Sequence, residues 1–488
     1  MKAFSFLGYF LLSLMLLFFI ATCEREISVT PPDEPPPDGF LLIDSYPDSA
    51  RIFLNGKDRL RSTLDSLGFL ETGTYEITLK KDMFNDTVFT VDAVEGERKE
   101  IFVDYSQNPG MYGQLTLTSK PAGAEIFIDD SATNKKTPYT FSKIFPGQYN
   151  ITYKYENHFD ISFTVTIQSS ELSEMNKVMI DSTVWSFYTT ENSDIPTNNL
   201  TTVVIDQVGL LWIGSTDGLI RYDYISWKHL TNSNSELPDN NVNAIDVNSD
   251  NNKWIATNKH IGVADNNTVF KYYDSREGTG LKTSTYVDIF VKKGTSDAYY
   301  FASDIGVVKY VKCTDPDQDP PCIEWGNIFA ISDVTSVISC RFGIMYGTAD
   351  YGVGIMEELY TKALVNIPSN KISSLAESDE GVWIGHLNDV AVTGGLSLYD
   401  GNSFQPYRFS GSNITVNAIF VDSHNNKWIG TNIGIYKFTN FDDKILIDYD
   451  YSGLPIENVT GFAEDGSGNI WFTTEGSGLF LFKDGLNR

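Results

Sequence analysis

The sequence predicts an all-β chain in which two small β-sandwich modules precede a seven-bladed β-propeller closed by a strand from its own amino-terminal end. Three observations predict it. A tryptophan-centred phrase returns seven times between residues 185 and 488, with anchors 38 to 46 residues apart, the period of a four-stranded blade. A strand-turn-strand phrase returns twice between residues 39 and 181. The seventh unit stops before its outer strand, and a matching aromatic segment stands unused at Trp185. With 488 residues, 41% of them hydrophobic and 13% aromatic, the chain can build more than one core.

Residues 1–22 read as an export signal: a basic start at Met1-Lys2, an apolar run from Phe4 to Ile20, and small residues Ala21 and Thr22 before Cys23. The run is short for a membrane span, which needs about 20 residues. The stretch "IATC" resembles the lipobox of bacterial lipoproteins: an aliphatic residue, two small residues and a cysteine. That resemblance implies cleavage before Cys23 and acyl chains on its thiol and new amino terminus, with the membrane as partner. Thr22 stands where Gly or Ala is usual, so an uncleaved single-helix anchor is the alternative. Glu24, in place of the aspartate of inner-membrane lipoproteins, implies the outer membrane, with either facing. Residues 23–38, "CEREISVTPPDEPPPD", are charged and proline-rich and read as a semi-rigid linker.

Residues 39–107 and 112–181 are the two copies of the shorter repeat. "GFLLIDSYPDSARIFLNGK" and "GQLTLTSKPAGAEIFIDDS" place a strand, a proline (Pro47, Pro121), an alanine (Ala50, Ala124) and a second strand at equal spacing. The second copy adds Thr137-Pro138 and Pro146-Gly147, and resembles the PEGA family of small extracytoplasmic β-sandwich domains through Pro121-Ala122-Gly123-Ala124. The first copy departs from the family, with Pro47-Asp48-Ser49-Ala50 and no Thr-Pro pair. Its prolines and glycines mark turns, and no catalytic constellation is visible in either copy.

Residues 185–488 carry the longer repeat. Its anchors are Trp212, Trp254, Tyr300, Met345, Trp383, Trp428 and Trp471, the third and fourth being weaker copies. Each unit reads as an alternating apolar strand, a polar turn, the tryptophan strand, a glycine turn, a third strand and an outer aromatic strand. Six residues before the tryptophan stands an acid or amide (Asp206, Asn248, Glu377, Asp422, Asp465) that can bond the turn backbone. The Asp-box of sialidases has its aspartate five residues before the tryptophan, so sialidase chemistry is not expected. Gly218, Gly262, Gly306 and Gly434 suit a tight reversal and close blade packing. The tryptophans are expected between blades, not facing a ligand. Segment "WSFY" at Trp185 is expected to complete the seventh blade and so hide its sheet edge.

These units, with the loops "DIPTNNLTTV", "ELPDNNVNAI" and "GLPIENVTGF", resemble the two-component regulator propeller family of bacterial sensor domains and envelope proteins. The resemblance implies a binding or sensing surface without fixing a ligand. Kinase, receiver and DNA-binding motifs are not visible. Propellers commonly bind at the rim made by loops entering the inner strands and loops between the second and third strands. Here those are Asn199, Asn241 and Asn458, and the candidate rim Asp217, His260, Asp304, Asp350, Tyr351, Asn388, Asp389 and Asn432. "HLNDVAVTGG", around Asn388, is the longest departure from the repeat and the favoured place for specificity.

Charge narrows the function classes. Against 36 Lys+Arg stand 64 Asp+Glu, a net charge of -28 that repels phosphate backbones, so no nucleic-acid partner is expected. Five scattered histidines, with no H-E-x-x-H and no paired Cys/His spacing, give no metal site and no cofactor. Asp315, Asp317 and Asp319 alternate as in a calcium loop, but Pro320 replaces the glycine and Gly326 the closing glutamate. Cys313 and Cys322 flank a loop that a disulfide could close in an oxidising envelope, with Cys340 buried and free. The expectation is a non-enzymatic envelope lipoprotein whose propeller binds a protein or glycan. A polysaccharide-binding protein or a carbohydrate lyase or hydrolase using rim carboxylates is the alternative.

Overall fold

The computed structural model describes residues 38–265, 270–273, 284–294, 297–312, 323–389, 394–407, 409, 413–439 and 444–483. Cys23, the Cys313–Cys322 pair and the Asp315 to Asp319 alternation lie outside these residues. Among the described residues no helix is long and apolar enough to cross a membrane. The chain packs as two compact units. One runs to Thr116 and takes in Thr140–Tyr149 and Thr164–Met175; the other comprises Leu117–Tyr139, Asn150–Phe163 and the chain from Asn176 onward.

The two short repeats share one topology. In the first, Gly39–Tyr46 lies between Asp65–Leu70 and Arg98–Asp104, and a second sheet runs Lys57–Ser62, Arg51–Leu54, Gly73–Lys80, Thr87–Ala93. Each of these seven strands has its counterpart 74 residues later, in the same sheet order, from Gly113–Lys120 to Leu172–Val178. The reason is a shared polar knot. In the second copy Thr137 Oγ1 accepts from the backbone N–H of Ala124 (3.0 Å) and Gly123 (3.2 Å) and meets the Ser119 hydroxyl, which donates to Pro121 O (2.8 Å in the first copy's Ser45 to Pro47 O, 2.7 Å here). In the first copy Thr63 Oγ1 accepts from Ala50 N (3.0 Å) and lies 2.6 Å from Ser45 Oγ. Thr63 thus takes the place of Thr137 although Leu64, not proline, follows it.

The rest of the second unit is a propeller. Among the described residues it has seven four-stranded antiparallel sheets. The inner strands are Leu200–Ile205, Val242–Val247, Tyr286–Lys292, Val334–Cys340, Ile372–Glu377, Val416–Val421 and Val459–Glu464, for blades 1 to 7. Each lies against the inner strand of the next blade, and the last against the first, so they ring the axis. Blade 7 takes its outer strand from Trp185–Tyr188, with Trp185 opposite Phe482 and Tyr188 opposite Leu479.

In blade 6 the tryptophan-centred phrase reads "NNKWIGTNIGIYKF", from Asn425 to Phe438. Trp428 is buried, its Nε1 donates to Asp422 Oδ2 (2.9 Å), and its ring meets Phe482 of blade 7 at 5.7 Å. Asp422 Oδ1 accepts from Asn426 N (2.8 Å) and His424 N (3.0 Å), which closes the turn. Asn425 adopts a left-handed φ of 61° and accepts from Asp379 N of blade 5 (3.1 Å), while Lys427 Nζ reaches Glu380 of blade 5 at 2.6 Å. The copy at blade 2 repeats this: Asn251 has φ 61° and accepts from Gln207 N (2.8 Å), and Lys253 Nζ lies 3.4 Å from Asp206 and 4.6 Å above the Trp212 ring. One phrase therefore orders a turn, wedges an indole against the next blade and clasps the preceding one. A Cβ on Gly430 would meet Val459 Cγ1 of blade 7 at 2.8 Å, which keeps that strand position small.

Three details depart from the reading of the sequence. Trp383 donates to Ser378 Oγ (3.0 Å), five residues before it, because Glu377 is turned to Arg341 (2.8 Å). Gly262 has no left-handed φ, unlike Gly218, Gly306 and Gly434; it only leaves room for Pro238, 3.1 Å from where its Cβ would be. Cys340 is free but half-buried, its Sγ 3.4 Å from Gly343 O.

Candidate functional site

The turn after the tryptophan strand is built the same way in six blades. The last residue of that strand is a serine or threonine whose hydroxyl donates to the carbonyl across the turn: Ser215 to Gly218 O (2.8 Å), Thr257 to His260 O (2.6 Å), Ser303 to Gly306 O (2.8 Å), Thr348 to Gly352 O (2.8 Å), Thr431 to Gly434 O (2.7 Å) and Thr474 to Gly478 O (2.9 Å). Blade 5 has His386 instead. Its ring is fully buried, with Nδ1 on Ser369 O (2.7 Å) and Nε2 on Ser397 Oγ (2.8 Å). A carbonyl can only accept, so Nδ1 carries the hydrogen and Nε2 accepts from the serine hydroxyl. Burial pulls the imidazole down to about 4. His386 therefore replaces a local turn cap by a bond to the loop that enters its own blade, at the root of the long loop around Asn388.

A second repeated position lies one residue into the inner strands. Thr201 donates to Val242 O (2.5 Å), Asn243 to Tyr286 O (2.7 Å), Thr335 to Ile372 O (2.7 Å), Ser373 to Val416 O (2.6 Å) and Thr460 to Leu200 O (2.8 Å). Each bond stitches one blade to the next around the mouth. The equivalent residues of blades 3 and 6 are Val287, which cannot donate, and Asn417, which makes no such bond among the described residues.

Between these two gaps lies a cavity of about 610 Å³. Blade 3 lines it with Thr285, Val287 and Asp304, blade 4 with Asp333, Val334 and Thr335, blade 5 with Ile372, Ser373 and Leu387, and blade 6 with Asn417. Among the expected rim residues, Asp304 is on its wall, held by the Ser284 hydroxyl. Asp350 and Asp389 share Lys371, at 3.9 and 3.7 Å, and Tyr351 is exposed beside them. Asn388 accepts from Gly394 N and Asn432 from Thr415 N (2.9 Å), so both order their loops. Asp217 takes Ser215 Oγ on its N–H (3.1 Å) and His260 takes Thr257 Oγ1 (3.1 Å); neither lines the cavity. Leu387 belongs to the loop "HLNDVAVTGG" that the sequence singled out, whereas Asp333 and the inner-strand residues escaped the sequence reading, which named inner-strand loops in blades 1, 2 and 7; position one residue into each inner strand was the available signal.

Below the mouth, two carboxylates cross between inner strands. Asp246 accepts from Val291 N and Val247 N, both at 2.7 Å, and Asp288 from Val337 N (3.0 Å) and Ile289 N (2.8 Å). Loss of hydration raises Asp246 to about 6 and Asp288 to about 7, against the pull of these N–H groups. Both residues are partly buried. A polar cleft of about 690 Å³ also lies in the second unit, lined by Gly123, Lys136, Lys154 and His158. Its lysines are already paired, Lys136 with Glu125 (3.3 Å) and Lys154 with Asp160 (2.8 Å), so the mouth is the stronger candidate.

A model of the PEGA domain matches residues 112–181, and a model of the two component regulator propeller matches residues 453–476. The chain thus carries one PEGA domain and a regulator-propeller repeat. No curated protein matches it. Among solved structures, the extracellular domain of BT3049 from B. thetaiotaomicron, described as a hybrid two component system, is similar at 17% identity and a TM-score of 0.51, over 62% of this chain and 42% of that one. PorZ of Porphyromonas gingivalis, described as a surface component of the type-IX secretion system, aligns at 13% identity and 0.45, over 88% and 65%. Virginiamycin B lyase from Staphylococcus aureus aligns at 12% and 0.47, over 61% and 98%. The first of these shares the propeller fold, and this chain spans about two fifths of its length.

Proposed function

We propose that this chain is a non-enzymatic lipoprotein of the cell envelope, held at the outer membrane by acyl chains on Cys23, whose propeller presents the mouth of blades 3 to 6 to a protein or glycan ligand in sensing or assembly. The observation that carries the reading is the cavity of about 610 Å³ at that mouth. Elsewhere recurring polar groups of the repeat are committed to architecture: the Trp212 and Trp428 indoles to turn acids, strand-end hydroxyls to turn carbonyls, Lys253 and Lys427 to the preceding blade. The first module, residues 39–107, is on this reading a second PEGA-like domain, supported by the common 74-residue offset and the Thr63 knot.

The test is in cells. A photocrosslinking residue at Leu387 is expected to capture a ligand, and the adduct to be lost when Asp304 and Asp333 are replaced by asparagine. Cys23→Ser is expected to release the protein from the membrane fraction and remove the acyl mass; unchanged mass and partitioning would remove the anchor. Turnover of an envelope polysaccharide by the full chain, abolished by Asp304→Asn, would replace the binding reading by an enzymatic one.

A further inference from the structure

The wall of the mouth cavity is aliphatic in part, with Val287, Val334, Ile372 and Leu387, and its polar groups are mostly hydrogen-bond acceptors. Thr285, Thr335 and Ser373 each direct their hydroxyl hydrogen to a main-chain carbonyl, of Asn258 (3.3 Å), Ile372 (2.7 Å) and Val416 (2.6 Å). What they offer a ligand is lone pairs. Asp304 and Asp333 add exposed carboxylates; the rim cation Lys371 is turned to Asp350 and Asp389, and among the described residues Asp304 and Asp333 have no cationic partner. Asn417 is the one lining side chain with a donor to spare. Val287 and Leu387 are half-buried on the same wall and give it an aliphatic patch.

This chemistry discriminates. A phosphate, sulfate or carboxylate would meet like charge and almost no donors. A neutral sugar would set its own oxygens against acceptors, and among the described residues no aromatic side chain lines the cavity for a sugar face to lie on. A cation rich in N–H donors on an aliphatic stem matches every element: donors to lone pairs, charge to the two carboxylates, methylenes to Val287 and Leu387.

Resting on the reading of the mouth as a binding surface, we propose that this cavity receives an organic cation, a primary ammonium or guanidinium on an aliphatic stem, brought by a lysine or arginine side chain of a partner protein or by a free polyamine. The full-length protein in detergent is titrated with spermidine and with a labelled Gly-Leu-Arg-Leu-Lys-Gly peptide, the analogue Gly-Leu-Glu-Leu-Glu-Gly and maltohexaose serving as controls. Saturable binding of the cationic probes is expected, with the controls silent. Asp304→Asn with Asp333→Asn is expected to weaken it at least about tenfold, and added salt to weaken it further. Tighter binding of the peptide assigns the cation to a partner protein; tighter binding of spermidine assigns it to a polyamine. Failure of both cationic probes to saturate, or equal binding by the double variant with unchanged tryptophan fluorescence, overturns the proposal. The Leu387 crosslink separates the two levels. An adduct in cells with no cation binding removes only the cation, whereas no adduct and no probe binding removes the mouth as a site.

Discussion

Lowering the pH should weaken the propeller through one side chain, His386. Its neutral ring is fully buried and bonded at both nitrogens, and burial holds its pKa near 4 against 6.5 for a free imidazole side chain. An unfolded chain takes up the proton near pH 6.5 and the folded chain only near pH 4. Between those values the unfolded state binds more protons, so stability is whole above pH 6.5 and falls as the pH drops toward 4. The full loss is about 3 kcal/mol, and roughly 2 kcal/mol of it is reached at pH 5. His386→Gln supplies a reference that cannot titrate at this position. All eight tryptophans lie from Trp185 onward, so urea unfolding followed by tryptophan fluorescence reads the propeller and not the modules before it. Between pH 7.5 and 5.0, wild type should lose roughly 2 kcal/mol relative to the variant, a comparison in which groups unaffected by the substitution cancel. A relative loss under about 0.5 kcal/mol would show that the folded protein protonates His386 freely, and the closed, neutral pocket would be refuted.

Other perturbations test other parts of the ring. Lys253→Met strands a buried carboxylate on Asp206, which keeps the Trp212 indole; urea unfolding should show a loss of about 3 kcal/mol, at the low end for a buried pair broken on one side. Lys427→Met, whose partner Glu380 is 40% exposed, should lose only about 1 kcal/mol by the same measurement, because water can take over the carboxylate. Asp288 has its folded pKa raised, so its contribution is whole below pH 3.8 and lost as the pH rises through about 7. Compared with Asp288→Asn, wild type should weaken by roughly 3 kcal/mol between pH 4 and 8 after allowance for its partial exposure. Thr63→Val and Thr137→Val each orphan a buried backbone N–H, of Ala50 and Ala124, and should each lower module stability by about 1–3 kcal/mol in circular dichroism melts while tryptophan fluorescence stays unchanged.

The architecture was legible because it is written in large, periodic side chains. Each tryptophan has to be buried somewhere, and a constant spacing puts it at the same place in every blade; Trp254, Trp383, Trp428 and Trp471 all meet a ring on the third strand of the following blade. The missing outer strand of blade 7 was legible for the same reason, since "FLF" needs a partner and "WSFY" fits it. Thr63 was not legible as the partner of Thr137, because the visible mark of that knot is the proline after it, whereas the bonds are made by the threonine. The cavity was still harder to read. Its walls are Thr, Val, Ser and Asn at one strand position, residues that acquire a role only from what the next blade puts opposite them. A linear repeat treats all seven turns alike and cannot say which sector of the ring opens.

The opening between blades 3 and 6 follows the missing stitches. The side chain one residue into each inner strand reaches the next blade's carbonyl at five of seven junctions. The gaps are at Val287 and Asn417, and these two residues line the cavity at its two ends. A valine methyl cannot bond the Val334 carbonyl, the counterpart of the Ile372 and Val416 carbonyls that Thr335 and Ser373 reach. Val287→Thr places a hydroxyl of nearly the same shape there, at a spacing that already works at Thr335. If the missing bond is what separates this junction from the others, the variant gains about 1 kcal/mol in urea unfolding, the net value of one hydrogen bond. It also removes an aliphatic contact from the cavity and should weaken the cationic probes without touching Asp304 or Asp333. A loss of more than about 1 kcal/mol would mean that the new hydroxyl is buried without a partner. The gap would then come from the course of the backbone in blade 3, and not from the side chain that happens to stand in it.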